Sequence, residues 1–201
     1  IQVILLDLRT FRDDLTIYNG EFSEDSRYSF YKQYYAPNPS RDITMLGKKQ
    51  WLWLENELKL NADVRIIASS TQFGIEWNGY ESWENFPSEK QKMIDLIKNT
   101  KANNVFFISG DVHYSEISKV ETDYYPLFDF TSSGLSSTWR FATPNKNRIE
   151  GPVMDNHFGL ITIDFSEPKN EFVKFENWDI RDNQRFEYTI DLKNIDFKEI
   201  E

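Results

Sequence analysis

Val105 to Glu116 reads VFFISGDVHYSE, an apolar run that stops abruptly at Gly110, Asp111 and His113. Val105, Phe106, Phe107 and Ile108 in unbroken series suit a strand buried on both faces, as in a parallel sheet covered on each side. The polar cluster then falls at the carboxyl end of that strand, where ligands bind in open α/β sheets. Asp111 and His113 both carry metal-binding atoms, and their spacing in an irregular loop lets them face one ion or two neighbouring ions. Gly110 is the residue expected to let the backbone turn there. The competing reading is a polar turn with Asp111 capping a backbone group and His113 partly buried.

Working outward, Val3 to Leu6 is a second buried strand and ends in a charged loop holding Asp7, Arg9 and Arg12. Residues 13 to 43 form a polar and aromatic excursion in which Pro37 and Pro39 break regular structure. Thr44 is placed to cap a helix running to about Leu60, with Trp51, Leu54 and Leu58 as its buried stripe and Leu52 and Trp53 widening it. Val64 to Ala68 is a third apolar run, followed by a loop carrying Gln72, Glu81 and Trp83. Ser88 to Gln91 has the capping-box pattern and opens a helix with Met93, Leu96 and Ile97 on its apolar face, ending near Asn103.

Strand, helix, strand, helix, strand in that order implies right-handed crossovers and an α/β fold with a parallel sheet over residues 1–116. All three strands end on one edge, which gathers Arg9, Gln72, Asp111 and His113. Residues 117–201 change character. Ile117 to Glu121, Leu127 to Thr131, Phe158 to Phe165, Phe172 to Trp178 and Arg185 to Leu192 read as antiparallel hairpins that extend or face the first sheet. Large aromatics in that loop-rich chain, Trp83 among them, are expected to pack. His157 is expected to be structural, while Glu116 either orients His113 or caps the backbone.

With 23 Lys and Arg against 33 Asp and Glu, the 201-residue chain has a formal charge of −10, which disfavours passive binding to nucleic acid or anionic membrane. No apolar run approaches the roughly 18 to 20 residues of a membrane span. The absence of Cys removes disulfides and thiolate ligands. Ile1 opens directly on a core-type strand, which predicts that the chain is a portion of a longer one.

Six phrases together resemble the alkaline phosphatase D (PhoD)-like branch of the calcineurin-like metallophosphoesterases: LLDLRTFR (5–12), MLGKKQWLWLENEL (45–58), ESWENFPSEK (81–90), FISGDVHYSEIS (107–118), TSSGLSS (131–137) and NHFGLITID (156–164). The resemblance implies part of a four-layer α/β/β/α sandwich with a metal centre at the strand ends, hydrolysing phosphate mono- or diesters. It places Asp111 and His113 at the last metal-binding motif, with Asp111 where the wider superfamily has His. It makes Arg9 or Arg12 a phosphate holder, the alternative being an Arg paired with Asp7 or Asp14. Gln72, Glu81 and Asn156 are further substrate-binding candidates. The metal implied is Fe, Mn, Zn or Ca, and export to the periplasm or outside follows by the same analogy.

The resemblance finds no counterpart in this sequence of the superfamily's other metal motifs, of the D-x-H, G-D-x-x-D and G-N-H-[ED] kinds. By the resemblance they lie before the segment that corresponds to Ile1, so an amino-terminal half of the same protein is the implied partner. The reading from a different class is a non-catalytic module that recognises phosphorylated or carbohydrate ligands through the aromatics of Tyr28 to Tyr35.

Overall fold

The computed structural model describes residues 1–18 and 35–197. Nine strands and two α-helices form a mixed six-stranded sheet, a three-stranded antiparallel sheet and a helical layer among those residues. β1 (Gln2–Leu5), β2 (Arg65–Ser69) and β3 (Val105–Ser109) run parallel, linked through α1 (Gly47–Leu58) and α2 (Pro87–Thr100). β5 (Leu127–Ser132) pairs in parallel with β3, and β4 (Ser115–Val120) then pairs antiparallel with β5 and with β6 (Arg148–Val153). One sheet therefore crosses the boundary between residues 116 and 117. β7 (His157–Asp164), β8 (Phe172–Asp179) and β9 (Gln184–Asp191) make the second sheet.

The unbroken apolar run of β3 is explained by its neighbours on both sides. Phe107 stacks on Phe73 at 3.9 Å, and Phe73 meets Trp83, which meets Trp51 of α1. On the opposite face Phe106 meets Phe130 of β5, and Phe130 stacks on Phe175 of β8 at 4.8 Å. Alternate side chains of one strand thus bind the helical layer and the second sheet together.

Trp51, Leu54 and Leu58 form the buried stripe of α1 as their spacing predicts, whereas Leu52 is 62% and Trp53 41% exposed. Those two lie off the buried stripe and do not widen it. Thr44 Oγ1 accepts from the Gly47 N–H at 2.8 Å. Glu89 of α2 accepts from the Met45 and Leu46 N–H groups and from Trp51 Nε1, so a carboxylate faces the positive end of α1 and ties the helices together. The Ser88 capping box does not form: Ser88 Oγ donates to the Pro39 carbonyl, and α2 starts on Pro87.

β1 also differs from its expected burial. It pairs with β2 alone, and only Ile4 is buried, while Val3 and Leu5 are 63% and 74% exposed. β6 is a strand the sequence pattern hides, because Gly151 and Pro152 interrupt its alternation. Tyr28 to Tyr34 lie outside the described residues.

Candidate active site

The carboxyl ends of β1, β2 and β3 meet as the parallel topology requires. Arg9 Nη1 donates to both Glu81 oxygens, at 2.9 and 2.6 Å, and Arg12 Nη1 donates to Glu81 Oε1 at 2.8 Å. Arg9 Nη2 stands 3.9 Å from Asp111 Oδ1. Glu81, not Asp7 or Asp14, is therefore the arginines' carboxylate. Asp7 instead accepts from the Arg9 and Thr10 N–H groups, which shapes the loop.

Two carboxylates and two guanidiniums in one cluster set each other's charge. Burial would raise the Glu81 carboxyl, but the hydrogen bonds from Arg9 and then Arg12 outweigh it and hold Glu81 below its ordinary value. Asp111 moves the other way. Burial first and then the Glu81 charge push it up, against the opposing pull of Arg9 and His113. Arg9 approaches Asp111 only to 3.9 Å while it binds Glu81 at 2.6 Å, so Asp111 keeps the weaker share of that cation.

The unusual backbone falls on the two candidate ligands themselves and not on Gly110. Asp111 has φ +76° and His113 φ +59°, both in the left-handed region that non-glycine residues enter at a cost. Neighbouring segments hold this conformation. The His113 N–H donates to Ser133 Oγ at 2.9 Å, and the Trp139 N–H donates to the His113 carbonyl at 3.2 Å. Ser137 Oγ lies 3.3 Å from His113 Nδ1. With Nδ1 facing Ser137, Nε2 is the ring nitrogen open to a ligand.

Gln72 has a different place from the one expected. It is fully buried, and its amide donates to Glu116 Oε1 and Thr131 Oγ1, so it fastens the loop after β2 to β4 and β5. Glu116 is also fully buried and neither orients His113 nor caps backbone: it accepts from Gln72, Asn145 and Arg148. Asn156 donates to the Gly134 and Leu135 carbonyls and braces that loop. His157 has its Nδ1 at the Asp155 carbonyl and its Nε2 accepting from the Gly134 N–H, a structural role. Trp83 is fully buried, as a packing residue.

Ser133, Ser137 and Trp139 are the residues that the strand-end reading passed over. They reach His113 because β5 runs parallel to β3, which brings the Ser-rich stretch after β5 to the same edge. Among the described residues no group of three or more His, Cys, Asp and Glu side chains converges as a closed metal site.

Comparison with known proteins gives a consistent result. Residues 1–189 match the PhoD-like phosphatase family. Alkaline phosphatase D of Bacillus subtilis (strain 168) is 32% identical over 142 residues, which is 65% of this chain and 22% of that protein. A solved structure described as "Structure of PhoD" has a TM-score of 0.58 at 21% identity, covering 94% of this chain and 41% of that one. The chain thus spans well under half the length of the relatives it matches. Since the match runs over nearly its whole length, the chain belongs to the PhoD-like phosphatase family.

Proposed function

We propose that the chain supplies part of the active site of a metal-dependent hydrolase acting on phosphate mono- or diesters. The observation that carries this reading is the pairing of Asp111 and His113, both on left-handed backbone at the end of β3, with the Arg9–Glu81–Arg12 cluster beside Asp111. A carboxylate that shares its arginine with Glu81 and an imidazole whose Nδ1 meets Ser137 fit two donors of a cation's shell, and Fe, Mn, Zn and Ca all accept such donors. A cation there would acidify a bound water and offset phosphoryl charge. Arg9 is 49% exposed in its side chain and has Nη2 on the Asp111 side, so it is the arginine placed to bind phosphate oxygens. Glu81 fixes the angle of both guanidiniums, and Arg12 serves as its second anchor.

The remaining ligands would come from an amino-terminal half of the same protein. Support comes from the coverage of the relatives and from a cleft of about 510 Å³ between the sheets, lined by Leu5, Ile108, Phe130, Ile161 and Phe175. β7 pairs with β8 alone among the described residues, so its other edge is open beside that cleft. Further strands joined to β7 would cover Leu5 and complete the sandwich. Export is proposed with the family reading. No helix among the described residues is long and apolar enough to cross a membrane.

Hydrolysis of phosphomonoester and phosphodiester substrates by the full-length protein tests the proposal. His113→Ala is expected to reduce kcat by at least about a hundredfold, and Arg9→Met to raise KM more than it lowers kcat. Unchanged turnover in His113→Ala would refute the assignment.

A further inference from the structure

His157 opens β7 in the second sheet, is fully buried, and is joined to the turn that follows β5 of the first sheet. The two segments are tied twice. The His157 N–H donates to the Gly134 carbonyl at 3.2 Å, and the Gly134 N–H donates to His157 Nε2 at 3.1 Å. A ring nitrogen accepts only when it carries no proton, so the proton of the neutral ring lies on Nδ1, which stands 2.7 Å from the Asp155 carbonyl. Burial holds the imidazole below its ordinary value, and Arg185 adds to that against the pull of Asp155, so Nε2 stays an acceptor.

Gly134 is pressed against this ring, since a Cβ there would fall 2.2 Å from Cε1. Asn156 Nδ2 braces the same turn, at 3.3 Å from the Gly134 carbonyl and 3.2 Å from that of Leu135. On one side of the turn is Ser133, whose Oγ accepts from the His113 N–H, and on the other is Ser137, whose Oγ meets His113 Nδ1. A phenyl ring has much the same shape as an imidazole and would serve packing alone. What the imidazole adds is an acceptor for a buried N–H in the middle of the turn that touches His113 from both sides.

From this geometry we infer that His157 is a positioning residue for His113, acting through the Gly134 turn that sets Ser133 and Ser137 against it. This role rests on the hydrolase reading above and adds the residue of the second sheet on which the orientation of the candidate ligand depends. The hold of an imidazole on a cation follows from the partners that fix its ring. Loss of the Nε2 acceptor leaves the Gly134 N–H without a partner, and the turn then moves to find one.

The test uses the full-length protein with His157→Phe, which fills the space without an acceptor, and His157→Gln, whose amide oxygen can take the place of Nε2. His157→Phe is expected to raise the metal dissociation constant and to lower kcat at saturating metal, each about tenfold, with KM unchanged, and His157→Gln to restore most of both. In chelator-treated protein, amide hydrogen exchange over residues 131–139 should quicken in His157→Phe and stay near the wild-type rate in His157→Gln. Ser137→Ala combined with His157→Phe should lose less than the product of the two single losses, because the hydroxyl has already left its place. If His157→Phe fails to fold, Asn156→Ala, in the half-buried brace of the same turn, is measured in the same way. Unchanged metal affinity and kcat in a folded variant, equal losses in His157→Phe and His157→Gln, or independent effects of His157 and Ser137 would overturn the role. His113→Ala separates the two claims: if it leaves metal binding and turnover intact, the hydrolase reading fails and the role with it, whereas if it abolishes both while His157→Phe leaves them unchanged, only the role of His157 fails.

Discussion

Asp129 shows how far a single buried carboxylate shapes the loops around the site. It is fully buried in β5 and accepts from the Phe73 and Gly74 N–H groups and from Ser109 Oγ. Burial still pushes its pKa up despite those bonds. A carboxyl whose folded value is raised contributes most to stability at low pH, and the contribution is lost as pH rises through the folded value. Asp129→Asn keeps an oxygen for the two N–H groups and removes the charge, so urea unfolding should find it at least as stable as wild type at pH 8. Asp129→Ala leaves two buried N–H groups without partners and should cost about 2 to 4 kcal/mol. Gly134 makes a steric counterpart. A Cβ there would fall 2.2 Å from His157 Cε1, so Gly134→Ala must displace the imidazole and should lower stability by about 1 to 3 kcal/mol.

At the scale of elements, the Glu116–Arg148 pair joins β4 to β6, and Arg148 also holds the Thr143 carbonyl. Burial raises the Glu116 carboxyl and Arg148 opposes that rise. Arg148→Met should cost about 3 to 5 kcal/mol at neutral pH, because it leaves a buried carboxylate without its cation. The loss should shrink as the pH falls and Glu116 takes up a proton in both proteins, which thermal unfolding from pH 8 to 4.5 measures. β2, β3 and the buried stripes of the helices were legible from apolar runs and spacing, because those residues are packed in the core. The roles of Gln72, Glu116 and Ser137 were not legible. A polar side chain in a loop reads the same in sequence whether it faces solvent or a buried partner 44 residues away, as Gln72 does with Glu116. β6 was hidden for a different reason, since its Gly151 and Pro152 give no strand signal although its partner β4 supplies the pairing.

At the scale of the molecule, β1 was expected to be buried, and its pattern of Val3, Ile4 and Leu5 is that of a strand covered on both faces. Among the described residues only the Ile4 face is covered. The apolar pattern thus carries information about a layer that β1 packs against in the proposed larger sandwich, where the cleft beside β7 is filled. Leu5→Ser should leave the thermal stability of the 201-residue chain within about 0.5 kcal/mol. In the full-length protein the same change should cost about 2 to 4 kcal/mol, because the side chain would there be buried. Equal effects in both would argue against a layer over Leu5. The candidate site has the same character: the sequence marked Arg9, Asp111 and His113 by their place after apolar strands, and the structure adds the bonds of Glu81 to both arginines and of Ser133 and Ser137 to His113.

The most direct test of the account is the metal content of the full-length protein, measured by elemental analysis alongside His113→Ala and Asp111→Asn. The account predicts near-stoichiometric metal in the wild type and a clear loss in both variants, with folding intact by circular dichroism. Metal retained in full by both folded variants would contradict it, because Asp111 and His113 would then have no part in holding the cation.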